Sequence, residues 1–195
     1  MKTTSLFAAC AFALTLSPAL PAETFDFDVL TEADIKVGPS QNAEGSAISL
    51  SEDPATGSRN LKCVYNITGD QGYAEFVFNE KRLKPRLPVA GRYKISFRVR
   101  GNEEVKAGPV GLRLVDARGE VHQYMLPGLE ALMKNPEWSR YETVLDLSAS
   151  ETHWGAESDG VVDAPAALYS FAVNGGRDGD SGTLHFDDLQ FEPAD

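Results

Sequence analysis

Residues 182–192, reading GTLHFDDLQFE, constrain this chain more than any other stretch. Leu184 and Phe186 alternate with polar neighbours, the pattern of a strand that buries one face. The phase then slips at Asp187-Asp188, and Leu189 and Phe191 resume it one residue late. Such a slip is the mark of a β-bulge. A carboxylate at the slip needs a partner, because an unpaired charge facing a core is costly. Two readings stand: Asp187 and Asp188 turn to water or cap nearby N–H groups, or they belong to a cation site at the edge of a β-sandwich.

The same period of two recurs along the chain. Residues 24–30 alternate throughout and predict a first strand, with Asp26 and Asp28 on its polar side. Strands are also predicted over 47–50, 61–67, 73–78, 140–147 and 167–173. In 92–100, Tyr93, Ile95, Phe97 and Val99 face one way and Lys94, Ser96, Arg98 and Arg100 the other. Residues 110–115 and 121–126 predict a hairpin turning through 116–119. The rest of 31–60, and 150–163, are rich in Gly, Pro, Asp and Ser and read as loops, and 174–182 reads as a hairpin turn. One helical turn is expected over 129–134. About nine or ten short strands with almost no helix imply an all-β chain, a single antiparallel β-sandwich or jelly roll.

Residues 1–22 have the build of a secretory signal: Lys2, an apolar run over 6–16, then small residues up to Ala22. The apolar run is too short to cross a bilayer, so no membrane insertion is expected. The mature chain would be a single domain, residues 23–195, secreted to the periplasm or beyond and expected to be monomeric. A net charge of −11 disfavours nucleic acid and anionic membranes as partners. Cys63 would be the sole cysteine left after cleavage. Its phase with Leu61 and Tyr65 makes it a buried, inert thiol.

Three features could carry ligand chemistry. The first is His153-Trp154-Gly155 with Glu157 and Asp159 close behind: an indole can stack on a pyranose face while carboxylates accept from hydroxyls. The alternative is an aromatic plug over the sandwich end. Trp138 and Tyr141, at a strand start, read as structural. The second is the run 81–100, which holds Lys81, Arg92, Lys94, Arg98 and Arg100 among its cations and no acid. Arginine forks would suit uronates or sulfate esters, and Arg113 could join that face; the alternative is a solvated face matched by acids on adjacent strands. The third is the strand pair bearing Arg113, His122 and Tyr124. A catalytic His122 needs an orienting carboxylate; none is evident in the adjoining sequence, so these read as face residues. There is no nucleophile elbow, phosphate loop, HExxH or cysteine pair for zinc.

Three blocks, GSRNLKCVY (57–65), EWSRYETVLDL (137–147) and GTLHFDDL (182–189), resemble the galactose-binding-like β-sandwich carbohydrate-binding modules found beside bacterial glycoside hydrolases. The likeness covers roughly residues 24–193. It implies a polysaccharide or oligosaccharide partner, an acidic glycan among the options. It also implies a structural calcium held by Asp28, with Asp26 second, and Asp187, with Asp188 second. Ligand contacts would come from Trp154, His153, Asp159, Tyr124, Arg113 and Arg98. Three readings follow: a secreted non-catalytic glycan-binding module, a small polysaccharide hydrolase or lyase, and a structural domain of the envelope.

Overall fold

The computed structural model describes residues 21–83, 86–102, 106, 108–150 and 152–194. The expected signal therefore lies outside the described residues, apart from Pro21 and Ala22. Taken along the chain, the strands are β1 (Glu23–Phe25), β2 (Ile35–Val37), β3 (Ala47–Glu52), β4 (Arg59–Asn66), β5 (Gly72–Phe78) and β6 (Arg92–Arg100). There follow β7 (Val110–Val115), β8 (Glu120–Met125), the single-turn helix α1 (Leu129–Leu132), β9 (Ser139–Asp146), β10 (Thr152–Gly155), β11 (Ala167–Gly176) and β12 (Ser181–Pro193). Among the described residues they make two antiparallel six-stranded sheets.

One sheet is organised around β12 and runs β3-β4-β12-β6-β9. Along one edge β12 pairs first with β4, through Ser181–Phe186, and then with β1, which places Leu189 opposite Phe25 and Phe191 opposite Glu23. Its other edge pairs with β6, and the register shifts between Asp187 and Gln190. Asp188 takes φ 53°, a left-handed conformation that a bulge can demand. The slip read from the sequence is thus a bulge, and it falls where the neighbour on one edge changes from β4 to β1.

The second sheet runs β10-β8-β7-β11-β5-β2. Phe171 of this sheet stacks on Phe186 of the first, ring centroids 4.5 Å apart, and both pack on Phe97. Phe25, Phe27, Phe76, Phe78 and Phe191 extend the same core, each at most 1 % exposed. Cys63 is a free, fully buried thiol, and burial pushes its pKa up.

The alternation over 24–30 is broken by Asp26. Its Oδ1 accepts the Asp28 N–H at 2.7 Å and caps a 3-10 turn over Phe27–Val29, so β1 stops at Phe25. Residues 174–182 are not a hairpin turn, because β11 and β12 lie in different sheets; the segment arches between the layers. Two strands lie where loops were expected: β2, against β5, and β10, which pairs through His153↔His122 and Trp154↔Val121 with β8.

Candidate functional site

The outer face of the β11 sheet follows from alternation. Val110, Leu112 and Leu114 of β7 fill the core, so Arg113 points the other way. Pairing sets Arg113 beside Gln123 of β8 and Ser170 of β11. Arg113 is 6 % exposed and forms an ion pair with Glu75 of β5, Nη1 to Oε1 2.6 Å. Its Nε donates to Gln123 Oε1 at 2.8 Å, and Ser170 Oγ donates to Glu75 Oε1 at 2.7 Å. The guanidinium lies 4.9 Å from the Trp154 ring centre and 5.8 Å from that of Tyr73. Cation–π attraction thus holds two aromatic rings over a locked, desolvated ion pair.

Above this pair is a cleft of about 350 Å³ lined by Pro39, Tyr73, Glu75, Arg113, Trp154 and Tyr169. Tyr169 is also a wall of an adjoining cavity of about 280 Å³, with Asp34, Lys36, Val77, Asn79 and Glu80 among its lining. The two adjoin at Tyr169, and the 350 Å³ cleft is the furrow over the Arg113–Glu75 pair. Trp154 keeps 39 % of its surface exposed although it sits on a paired strand.

Of the residues expected to touch ligand, the structure brings Trp154 and Arg113 together and separates the others. Tyr124 does not face the cleft: its pairing with Leu112 turns it inward, where it is 7 % exposed and its hydroxyl donates to the Leu147 carbonyl. Burial pushes that phenol's pKa up. His153 lies on the inner side of β10, Nδ1 2.5 Å from Glu120 Oε1. Asp159 is exposed beyond β10 and accepts the Val161 N–H. Arg98 is on the other sheet, as are Lys94 and Arg100, so Arg113 cannot join them. Tyr73, Tyr169 and Glu75 escaped the sequence reading. Tyr73 and Glu75 have only an outward phase on β5 as their signal; Tyr169 shares the phase of the core residues Phe171 and Val173 and lines the cleft where the register shifts between Leu168 and Ser170, which the sequence does not show.

Two cations of β6, Arg98 and Lys94, are matched by neighbouring acids. Arg98 binds Asp187 through Nη2 at 2.7 Å and Asp188 through Nε at 2.6 Å, and Lys94 pairs with Glu192. Arg98 and Arg100 both stack on Trp138, at 4.9 and 4.7 Å from the ring centre, and Trp138 Nε1 donates to Asp53 Oδ2 at 2.8 Å. Asp187 is 5 % exposed; burial raises its pKa despite the Asp188 N–H that caps it and the Arg98 charge. Asp28 Oδ1 accepts the Arg59 N–H at 2.6 Å. A guanidinium supplies the positive charge at Asp187.

A second polar cluster lies beneath β10. Asp116, Glu120 and His122 are all buried, and each offers a donor atom within 4.8 Å of the others, a group that could hold a metal ion. Burial alone would raise the Asp116 carboxyl, but backbone N–H bonds from Glu120, Asp163 and Arg118 outweigh it and hold the pKa low. The sequence reading gave His122 no local carboxylate. Asp116 is six residues back, across the β7–β8 turn, and reaches it only because that turn folds back.

No family model and no curated protein matches the sequence. Solved structures do match in fold. A family 11 carbohydrate-binding module from Clostridium thermocellum, in complex with a β-1,3-1,4-mixed-linked tetrasaccharide, superposes with a TM-score of 0.55 at 16 % identity, over 90 % of this chain and 98 % of that one. A structure described as explaining promiscuous specificity in carbohydrate-binding modules of the β-sandwich superfamily gives 0.52 at 16 % identity. The match spans 87 % of this chain and 61 % of that one. An exo-β-agarase gives 0.50 at 14 % identity, over 90 % of this chain and 26 % of that one. The chain thus has the β-sandwich fold of carbohydrate-binding modules such as that of family 11.

Proposed function

We propose that this protein is a secreted, non-catalytic module that binds a neutral, β-linked polysaccharide along the furrow of its β11 sheet. One observation carries the reading. Trp154, Tyr73 and Tyr169 line an open cleft whose floor, Arg113 and Glu75, is already hydrogen-bonded and buried. Flat rings over a rigid polar floor suit the apolar face and rim hydroxyls of a pyranose. The fold resembles that of a module solved with a β-1,3-1,4-mixed-linked tetrasaccharide, which supports a β-linked glycan as the ligand class.

The polarity of the site favours a neutral chain over the acidic one suggested by the basic run. Arg113 is already engaged by Glu75 through Nη1 and by Gln123 through Nε, and Arg98 is on the opposite sheet, held by Asp187 and Asp188. A glycosidase needs two carboxylates flanking the scissile bond. Among the described residues of the 350 Å³ cleft Glu75 is the one carboxylate, and it is tied to Arg113; of the carboxylates in the adjoining cavity, Asp34 is bound by Thr31, Asn79 and Arg82, and Glu80 is half-buried. Export is supported by the signal-like residues 1–22.

Affinity electrophoresis tests this. Gels containing mixed-linkage β-glucan, agarose or polygalacturonate would be run with wild type and Trp154→Ala. The expected outcome is retardation by a neutral polysaccharide, weakened about thirtyfold, or about 2 kcal/mol, on losing the indole. Retardation by polygalacturonate alone, equal mobility of both proteins in every gel, or release of reducing ends would overturn the reading.

A further inference from the structure

We propose that Asp116, Glu120 and His122 form a binding site for one divalent transition-metal ion of the zinc class. The three donors come from one short stretch. Asp116 directly follows β7, and Glu120 and His122 are the first and third residues of β8. The β7–β8 turn folds Asp116 back over His122, so that Oδ2 lies 3.5 Å from Nε2. That separation is long for a hydrogen bond. It is the spacing of two ligands on one ion, since donors about 2.1 Å from a tetrahedral centre stand about 3.4 Å apart.

His122 makes the independent case. It is 0 % exposed, yet neither Nδ1 nor Nε2 has a hydrogen-bond partner. A fully buried imidazole without partners is costly, and an ion bound by the Nε2 lone pair would satisfy one of its two nitrogens. The carboxylates are also unusually short of positive charge. Among the described residues no lysine or arginine forms an ion pair with Asp116 or Glu120; the side chains that lie against them are the imidazoles of His122 and His153. Asp187, on the other sheet, is by contrast gripped by Arg98.

Both carboxylates are held in place from behind. Asp116 accepts the Arg118 and Glu120 N–H groups on Oδ1, at 2.9 Å each, and the Asp163 N–H on Oδ2 at 3.2 Å. Glu120 meets His153 Nδ1 on Oε1, together with the Gly160 N–H at 3.2 Å, and takes the Asp159 N–H on Oε2 at 3.3 Å. Such outer contacts orient ligands for a metal. An imidazole nitrogen with two carboxylate oxygens in a dry site selects a borderline ion over calcium. The ion would join the β7–β8 turn to β8 and, through Glu120 and His153, brace the strand that carries Trp154.

The test is independent of sugar binding. Tag-free full-length protein, stripped with chelator and dialysed, is titrated with Zn2+, Ca2+ and Co2+ and its bound metal measured by mass spectrometry. Expected are uptake of a single equivalent of zinc, a visible d–d absorption with cobalt, and a rise in Tm of about 5 °C or more in excess zinc. His122→Gln and Glu120→Gln should each weaken uptake about tenfold or more. Absence of both zinc uptake and a cobalt band in the wild type would sink the proposal, whatever the variants do. So would calcium uptake without zinc, or zinc uptake unchanged in both variants, which marks adventitious surface binding.

Discussion

Arg113 and Glu75 are 6 % and 3 % exposed and joined at 2.6 Å, so each charge is tolerable only because of the other. Arg113→Ala should cost about 3–5 kcal/mol in denaturant unfolding by stranding the Glu75 carboxylate. Replacing both residues with methionine should recover most of that loss, while still weakening sugar binding because the aromatic rings lose their guanidinium. A stable Arg113→Ala protein would show that Glu75 does not carry a buried charge. His185 offers a separate check. On β12 it lies between Lys62 of β4 and Arg100 of β6, with Nδ1 2.7 Å from Asn60 Oδ1. Burial, then the charges of Arg100 and Lys62, lower its pKa from 6.5 to about 4. Between those values the unfolded chain binds the proton and the folded one does not, so this residue makes stability fall as pH drops from about 6.5 to about 4. Unfolding midpoints for His185→Gln should show a shallower loss across that window than the wild type. Identical slopes would mean His185 titrates normally in the fold.

Among the elements, the proposed binding mode depends most on β10, an edge strand of only four residues. Its end depends on Gly155, which has φ +123°; a Cβ there would stand 2.8 Å from the Gly119 carbonyl oxygen. Gly155→Ala should therefore push β10 off β8, with a strain of about 1–3 kcal/mol. The sugar affinity should drop severalfold while the aromatic core stays intact, as near-UV dichroism and the affinity gel would report. Unchanged affinity would show that Trp154 does not depend on the strand pairing. This element also marks the limit of what the residues disclose. The long strands β4, β6, β9 and β12 announce themselves because one face is apolar and the period is two. The bulge is visible because Asp187-Asp188 breaks that period. β2 and β10 are too short to show a period, and β10 is studded with Gly155 and a following Gly-Asp-Ser run that mimics a loop. Trp154 and Arg113 could be named from their chemistry. That they share a face, while Tyr124 turns inward and Arg98 sits on the other sheet, depends on register and layer assignment, which local pattern does not encode.

At the scale of the whole molecule, the net charge of −11 sets how the furrow meets its ligand. An acidic protein repels polyanions at long range, and Arg98 and Lys94 of β6 are matched by Asp187, Asp188 and Glu192. Binding to a neutral polysaccharide should accordingly be nearly insensitive to salt up to about 1 M, where the Debye length is about 3 Å. A steep loss of affinity with added salt, read by calorimetry, would point instead to an ionic ligand. The first strand docks on the last, with Glu23 opposite Phe191, so the two ends of the domain leave from one corner of the β12 sheet. The furrow opens on the other layer. A passenger tethered at either end would hang from the back of the sandwich, leaving the aromatic side free to lie flat on a fibre or a wall.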